Sequence, residues 1–131
     1  VAMVGLRSLD PGERRRLRET EITALTMSDV DDRGIVPTVE AALDAAADGT
    51  DGVHVSLDLD VLDPTAAPGV GTPVRGGLSY REAHAVMEAV AERATLRSLD
   101  LVEVNPILDR GNETAELAVE LAASALGRRI L

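Results

Sequence analysis

The chain has no cysteine, no tryptophan, no phenylalanine and no lysine, and a single tyrosine, Tyr80. Without cysteine there are no disulfides, thiolate zinc sites, iron–sulfur clusters or cysteine nucleophiles. Without large rings the core must be aliphatic, built from Leu, Val, Ile, Met and many Ala. Positive charge is scarce too: 13 basic side chains, all Arg, stand against 23 acidic ones, a formal net charge of -10. That balance argues against a nucleic-acid binder, which needs a basic face, and against docking on anionic lipid. No apolar run approaches ~20 residues, so no membrane span is expected. No signal-peptide layout opens the chain, and the expectation is a cytoplasmic protein.

What is present reads as one domain or part of one. The 131 residues are 45% hydrophobic and 27% charged, and a chain of that length buries roughly two thirds of its unfolded surface. Short apolar runs alternate with amphipathic stretches. Val1–Leu6, Glu21–Met27, Val53–Asp60 and Arg97–Val104 read as strands. Asp10-Pro11-Gly12-Glu13 starts a charged helix, with acid at the N-cap and proline at the first position. Ser28–Asp31 suggests a turn or short helix. Pro37 begins a helix that Gly49 stops. Ser79-Tyr80-Arg81-Glu82 is a capping box before a helix with Ala83, Val86, Met87, Val90 and Ala94 on one face. A last helix runs from about Asn112 to Leu126, burying Ala118, Leu121, Ala122 and Ala125. Strands alternating with helices imply an α/β fold with a parallel sheet covered on both faces. The loop Asp63–Gly77 is long for a compact domain, and such loops are usually functional.

The acidic residues gather where such folds place ligands. Strand Val53–Asp60 alternates, so His54, Ser56, Asp58 and Asp60 face one way. Asp58 and Asp60 then share its C-terminal end, where open α/β sheets bind ligands. Two close carboxylates repel unless a cation or proton sits between them, and Mg²⁺ or Mn²⁺ prefers such oxygen ligands. The plainer alternative is a polar strand face that is simply wet. The following loop carries Gly69, Gly71, Gly76 and Gly77, which let backbone approach a ligand, and Thr72, a hydroxyl donor or an ordinary turn residue. It matches neither a Walker loop nor a dinucleotide fingerprint. Glu103, near the end of the fourth strand, needs a cationic partner if buried: an internal Arg, or a guanidinium held bidentately. Asp10 reads first as a helix N-cap, and second as a group that could bind a substrate ammonium. His54 reads as a hydrogen-bonded structural residue and His84 as exposed. Neither lies in a metal-binding spacing.

Five runs together resemble the ureohydrolase family, bacterial-type arginases most closely. They are Gly5–Glu13 (GLRSLDPGE), Ser56–Pro64 (SLDLDVLDP), Ala67–Val74 (APGVGTPV), Gly76–Glu82 (GGLSYRE) and Glu103–Pro106 (EVNP). The resemblance implies a three-layer αβα fold, of which the chain would be the C-terminal part, with about four strands. It implies hydrolysis of L-arginine to L-ornithine and urea by a hydroxide bridging two Mn²⁺ ions. By motif position, Asp58 would bridge the ions and Asp60 would chelate one. Glu103 would hold the guanidinium, Thr72 would lie beside it, and Asp10 would read the α-amino group. The complete enzymes form trimers or hexamers, so a homo-oligomer is implied.

One departure is large. The family's Asp-x-His-x-x-x-Asp run and its further histidines are missing. Residues 1–131 are therefore expected to be the C-terminal part of a single catalytic domain whose N-terminal half is absent, inactive alone. Agmatinase is the near alternative. A haloacid-dehalogenase-type phosphatase using Asp58 and Asp60 fits the layout but lacks its lysine. A non-catalytic assembly module is the third reading.

Overall fold

The structure, a computed structural model, describes residues 1–129. Its elements run β1 (Ala2–Leu6), α1 (Pro11–Glu19), β2 (Thr23–Thr26), α2 (Met27–Arg33), α3 (Ile35–Ala47), β3 (Val53–Asp58), a 3-10 turn (Leu59–Val61), α4 (Tyr80–Arg93), β4 (Leu96–Val102) and α5 (Glu113–Ala125). Local chemistry explains most of the boundaries. Asp10 caps α1, accepting from the N–H groups of Gly12 and Glu13, while Glu13 reaches back to the Asp10 N–H. Ser79 and Glu82 do the same for α4. The stretch expected as a turn or short helix after β2 is a short helix, α2, capped by Thr26 with Asp29 in the reciprocal position. α3 begins at Ile35 rather than Pro37, because a proline in the first turn forfeits an N–H that has no partner there anyway.

The strands are parallel but pair in twos. β1 pairs with β2, from Ala2 opposite Thr23, and β3 pairs with β4, from Val53 opposite Leu96 to Asp58 opposite Val102. No ladder joins the pairs among the described residues. An apolar groove of about 610 Å³ lies between β1 and β3, lined also by α3 and α4. Sequence pattern marks strands but not their neighbours. For the same reason β1, expected buried, is half-open: Met3 is 41% exposed and only Gly5 is buried.

Helices flank the sheets. Leu57, Leu59, Leu62, Val70, Met87 and Leu121 form the main core with the facing sides of α4 and α5. Each such side chain contributes about 1.5–3 kcal/mol on burial. Of the α5 residues expected inside, Ala118, Leu121 and Ala125 are buried and Ala122 is half-buried. On the other side of β3–β4, His54, Ser56, Ser98 and Asp100 are exposed, and His54 Nδ1 bonds to Ser98 Oγ at 2.7 Å, the structural part expected for it. His84 is a correction. It is buried between α4 and α5, with Nδ1 2.9 Å from Ser124 Oγ, because it shares the apolar face of α4 with Ala83 and Met87.

Candidate functional site

Two of the strand ends that carry acidic groups were misjudged by two residues or less. β3 stops at Asp58, so alternation ends there, and Asp60 sits inside the 3-10 turn. The turn brings the two acids together: the Asp58 side chain accepts the Asp60 N–H at 3.0 Å. Leu59 between them is fully buried and anchors the turn in the core. β4 stops at Val102, which leaves Glu103 just beyond it in the left-handed region, at φ 63°. Non-glycine residues held there cluster at functional sites.

The loop completes the arrangement. Its ends are tied by reciprocal backbone bonds, Asp63 N–H to Leu78 O and Leu78 N–H to Val61 O, each 2.9 Å. The Asp63 carboxylate takes the Thr65 hydroxyl, the Thr65 N–H and the Gly76 N–H, which hold its pKa down to about 2. Folded this way, the loop delivers the Thr72 hydroxyl to the Asp60 carboxylate at 2.9 Å. It also lays Gly71 against Glu103: a Cβ there would stand 3.3 Å from Glu103 Oε2, so the missing side chain lets the acid approach the backbone.

Charge is unbalanced in this cluster. Burial raises the Asp58 carboxyl above its ordinary value, and repulsion from Asp60 and Glu103 pushes it the same way. Glu103 is exposed, not buried, and makes no ion pair with an Arg among the described residues. The internal salt bridge weighed against the ligand reading is therefore not formed. Asp58 and Asp60 offer the hard oxygen donors that a divalent cation takes. No group of three or more potential metal ligands exists among the described residues, so the donor set is right in kind and short in number. Asp10 stands apart. Its Oδ1 is committed to capping α1, and no bond joins it to Asp58, Asp60, Thr72 or Glu103.

Known proteins resemble this chain over nearly its whole length. A family model described as the Arginase family matches residues 1–127. The chain belongs to the arginase family. Arginases from Bacillus caldovelox and Bacillus subtilis are each 50% identical over 131 residues, all of this chain and 44% of their own length. The solved native structure of the Bacillus caldovelox arginase overlays with a TM-score of 0.95, covering 99% of this chain and 44% of that one. The chain thus spans less than half the length of these arginases. The likeness includes the fold, parallel sheets flanked by helices in a three-layer α/β arrangement. Membership also leaves the phosphatase reading without support. No helix among the described residues is long and apolar enough to cross a membrane.

Sequence reasoning missed three residues that hold the site in place. Thr114, fully buried, accepts the Gly69 N–H. Asp109 caps α5 through the N–H groups of Thr114 and Ala115. Burial works to raise the Asp109 carboxyl, but these hydrogen bonds outweigh it and its pKa lies below the ordinary value. Arg7 binds three backbone carbonyls. Asp109 ahead of the apolar face of α5 was a readable capping signal; for Arg7 and Thr114 no spacing announces a partner so far along the chain.

Proposed function

We propose that this chain carries one part of an arginase-type centre that hydrolyses L-arginine to L-ornithine and urea. The observation that carries the reading is the set of three carboxylates, Asp58, Asp60 and Glu103, near Thr72 and Gly71, with no cationic side chain paired to them among the described residues. An acidic cluster of that kind calls for cations, and the proposed ligands are two: a divalent metal pair and a guanidinium.

Asp58 and Asp60 would hold Mn²⁺, Asp58 bridging the two ions and Asp60 chelating one. Such ions, when bound, supply a hydroxide nucleophile at neutral pH. Glu103 would fix the guanidinium, whose planar fork matches a carboxylate bidentately. Its left-handed backbone turns the side chain against Gly71. Thr72, already bonded to Asp60, would border the same group. Asp10 would read the α-amino group with Oδ2, since Oδ1 is spent on the helix cap. The remaining ligands would come from the part of the domain that this chain does not span, and the complete enzyme would be a trimer or hexamer, measurable by light scattering.

The test is urea release. The purified chain should release none from L-arginine at any Mn²⁺ concentration. Adding a polypeptide that covers the rest of the relatives' length should restore it. Manganese-dependent turnover by the 131 residues alone would overturn the partial-site reading, and restored turnover of agmatine in preference to arginine would overturn the substrate.

A further inference from the structure

Arg7 lies just past β1, half-buried, and its guanidinium meets only backbone oxygen. Nη2 donates to Asp60 O at 2.5 Å, to Val74 O at 2.8 Å and to Leu62 O at 3.3 Å, and Nε donates to Val74 O at 3.2 Å. No carboxylate is paired with it among the described residues. An arginine that forgoes ion pairing in a chain of net charge -10 is held by its carbonyls.

Those carbonyls close a ring. Arg7 binds Asp60 through its main chain, Asp60 binds the Thr72 hydroxyl through its side chain, and two residues on Val74 returns to Arg7. Asp60 is thus gripped from behind by Arg7 and from in front by Thr72. The ring also spans the junction between the two strand pairs. No strand pairing joins β1–β2 to β3–β4, and the hydrogen bonds that residues 1–26 send beyond residue 53 are all made by Arg7, among the described residues.

We propose that Arg7 is a positioning residue: it fixes the direction of the Asp60 carboxylate and the Thr72 hydroxyl relative to Asp58 without itself facing the ligand. The proposal rests on the cation-binding reading above. Lysine is a poor substitute: its ammonium sits on a shorter stem than Nη2, and it has no second donor to match the Nε–H bond to Val74 O. Losing such an outer partner commonly weakens metal affinity about 10-fold or more.

The experiment titrates the chain and its Arg7→Lys variant, each joined by the complementary polypeptide, with Mn²⁺, following the free-ion signal by electron paramagnetic resonance, with circular dichroism to confirm the fold. The variant should keep its helix content and bind Mn²⁺ about 10-fold more weakly. In enzyme restored with the complementary polypeptide, kcat should fall by more than KM rises, because Glu103 takes no part in the ring. A folded variant with wild-type Mn²⁺ affinity refutes the positioning role alone. A restored wild-type enzyme that binds no Mn²⁺ refutes the cation reading and this proposal with it. Should the variant not fold, nitrogen NMR of the wild-type chain decides. Separate, slowly rotating Arg7 Nη signals support the clamp, and a single averaged signal overturns it.

Discussion

Replacing Thr114 by Val removes one hydroxyl from a place water does not reach. Thr114 is 0% exposed in the first turn of α5, and its Oγ1 accepts the N–H of Gly69, also buried, at 2.7 Å. Val has nearly the shape of Thr, so neither cavity nor clash accompanies the change. The main loss is the acceptor, with the hydroxyl's side-chain bond to Asp109 beside it, and a buried N–H left without a partner costs about 1–3 kcal/mol. At about 2.1 cal/mol/K per residue, unfolding this chain carries an entropy of about 0.28 kcal/mol/K, so the melting temperature should fall by about 4–11 °C. Thr114→Ser keeps the oxygen and drops one methyl, about 0.8 kcal/mol, so it should lose only about 3 °C. Thermal melts followed by circular dichroism compare the three proteins. Hydrogen exchange at the Gly69 amide adds a local readout: slow in Thr and Ser, fast in Val. A Val variant as stable as wild type, or a Ser variant that falls as far as Val, would refute the reasoning. The site is involved as well. Gly69 O holds the Asn105 N–H at 2.7 Å, so this one loop residue is stapled to both α5 and the segment after Glu103.

Two further outcomes follow from the same geometry. Asp58→Asn should raise the melting temperature of metal-free chain at pH 7 and change it little at pH 3. The folded carboxyl has a raised pKa, so its proton-linked stabilisation is full below the unfolded value near ~3.9 and is lost as pH rises through the folded value. At neutral pH the ionised group strains the cluster, and a lower melting temperature for Asn at pH 7 would contradict this. Gly77→Ala should destabilise by about 1–3 kcal/mol through overpacking. The added Cβ would stand 2.4 Å from Val61 O and 2.5 Å from the carbonyl carbon of Leu62, both backbone. Gly49→Ala, with nothing within 4 Å and only a left-handed backbone against it, should cost about 1–2 kcal/mol. Urea denaturation of both variants gives the order, and a Gly49 loss larger than that at Gly77 would reverse the argument.

Much of the fold was readable because its signals are local. Asp10 with Glu13 and Ser79 with Glu82 are three residues apart, and each pair satisfies the other's backbone, so sequence and structure say the same thing. The acids of the site were legible by type and region, and less so by position. Asp60 and Glu103 were placed on strands that stop before them, because a residue's last ladder bond depends on where its neighbour strand ends. His84 was misplaced because α4 packs against α5 over a wider face than its aliphatic residues mark.

Long-range polar ties are of another kind, and Arg7 shows why they escape a sequence reading. Its partners are carbonyls, which every residue carries, so nothing in the identity of Asp60, Leu62 or Val74 selects them. Selection comes from the path of the chain. The buried Leu59 fixes the turn, the turn exposes the Asp60 carbonyl, and the loop pinned at Asp63 and Leu78 returns Val74 to the same spot. Only after those three local events does one side chain from the end of β1 find its acceptors in reach. The acids could be read because carboxylates are chemically distinctive. The residue that aims one of them could not, because what it binds is the same everywhere until the fold makes it unique.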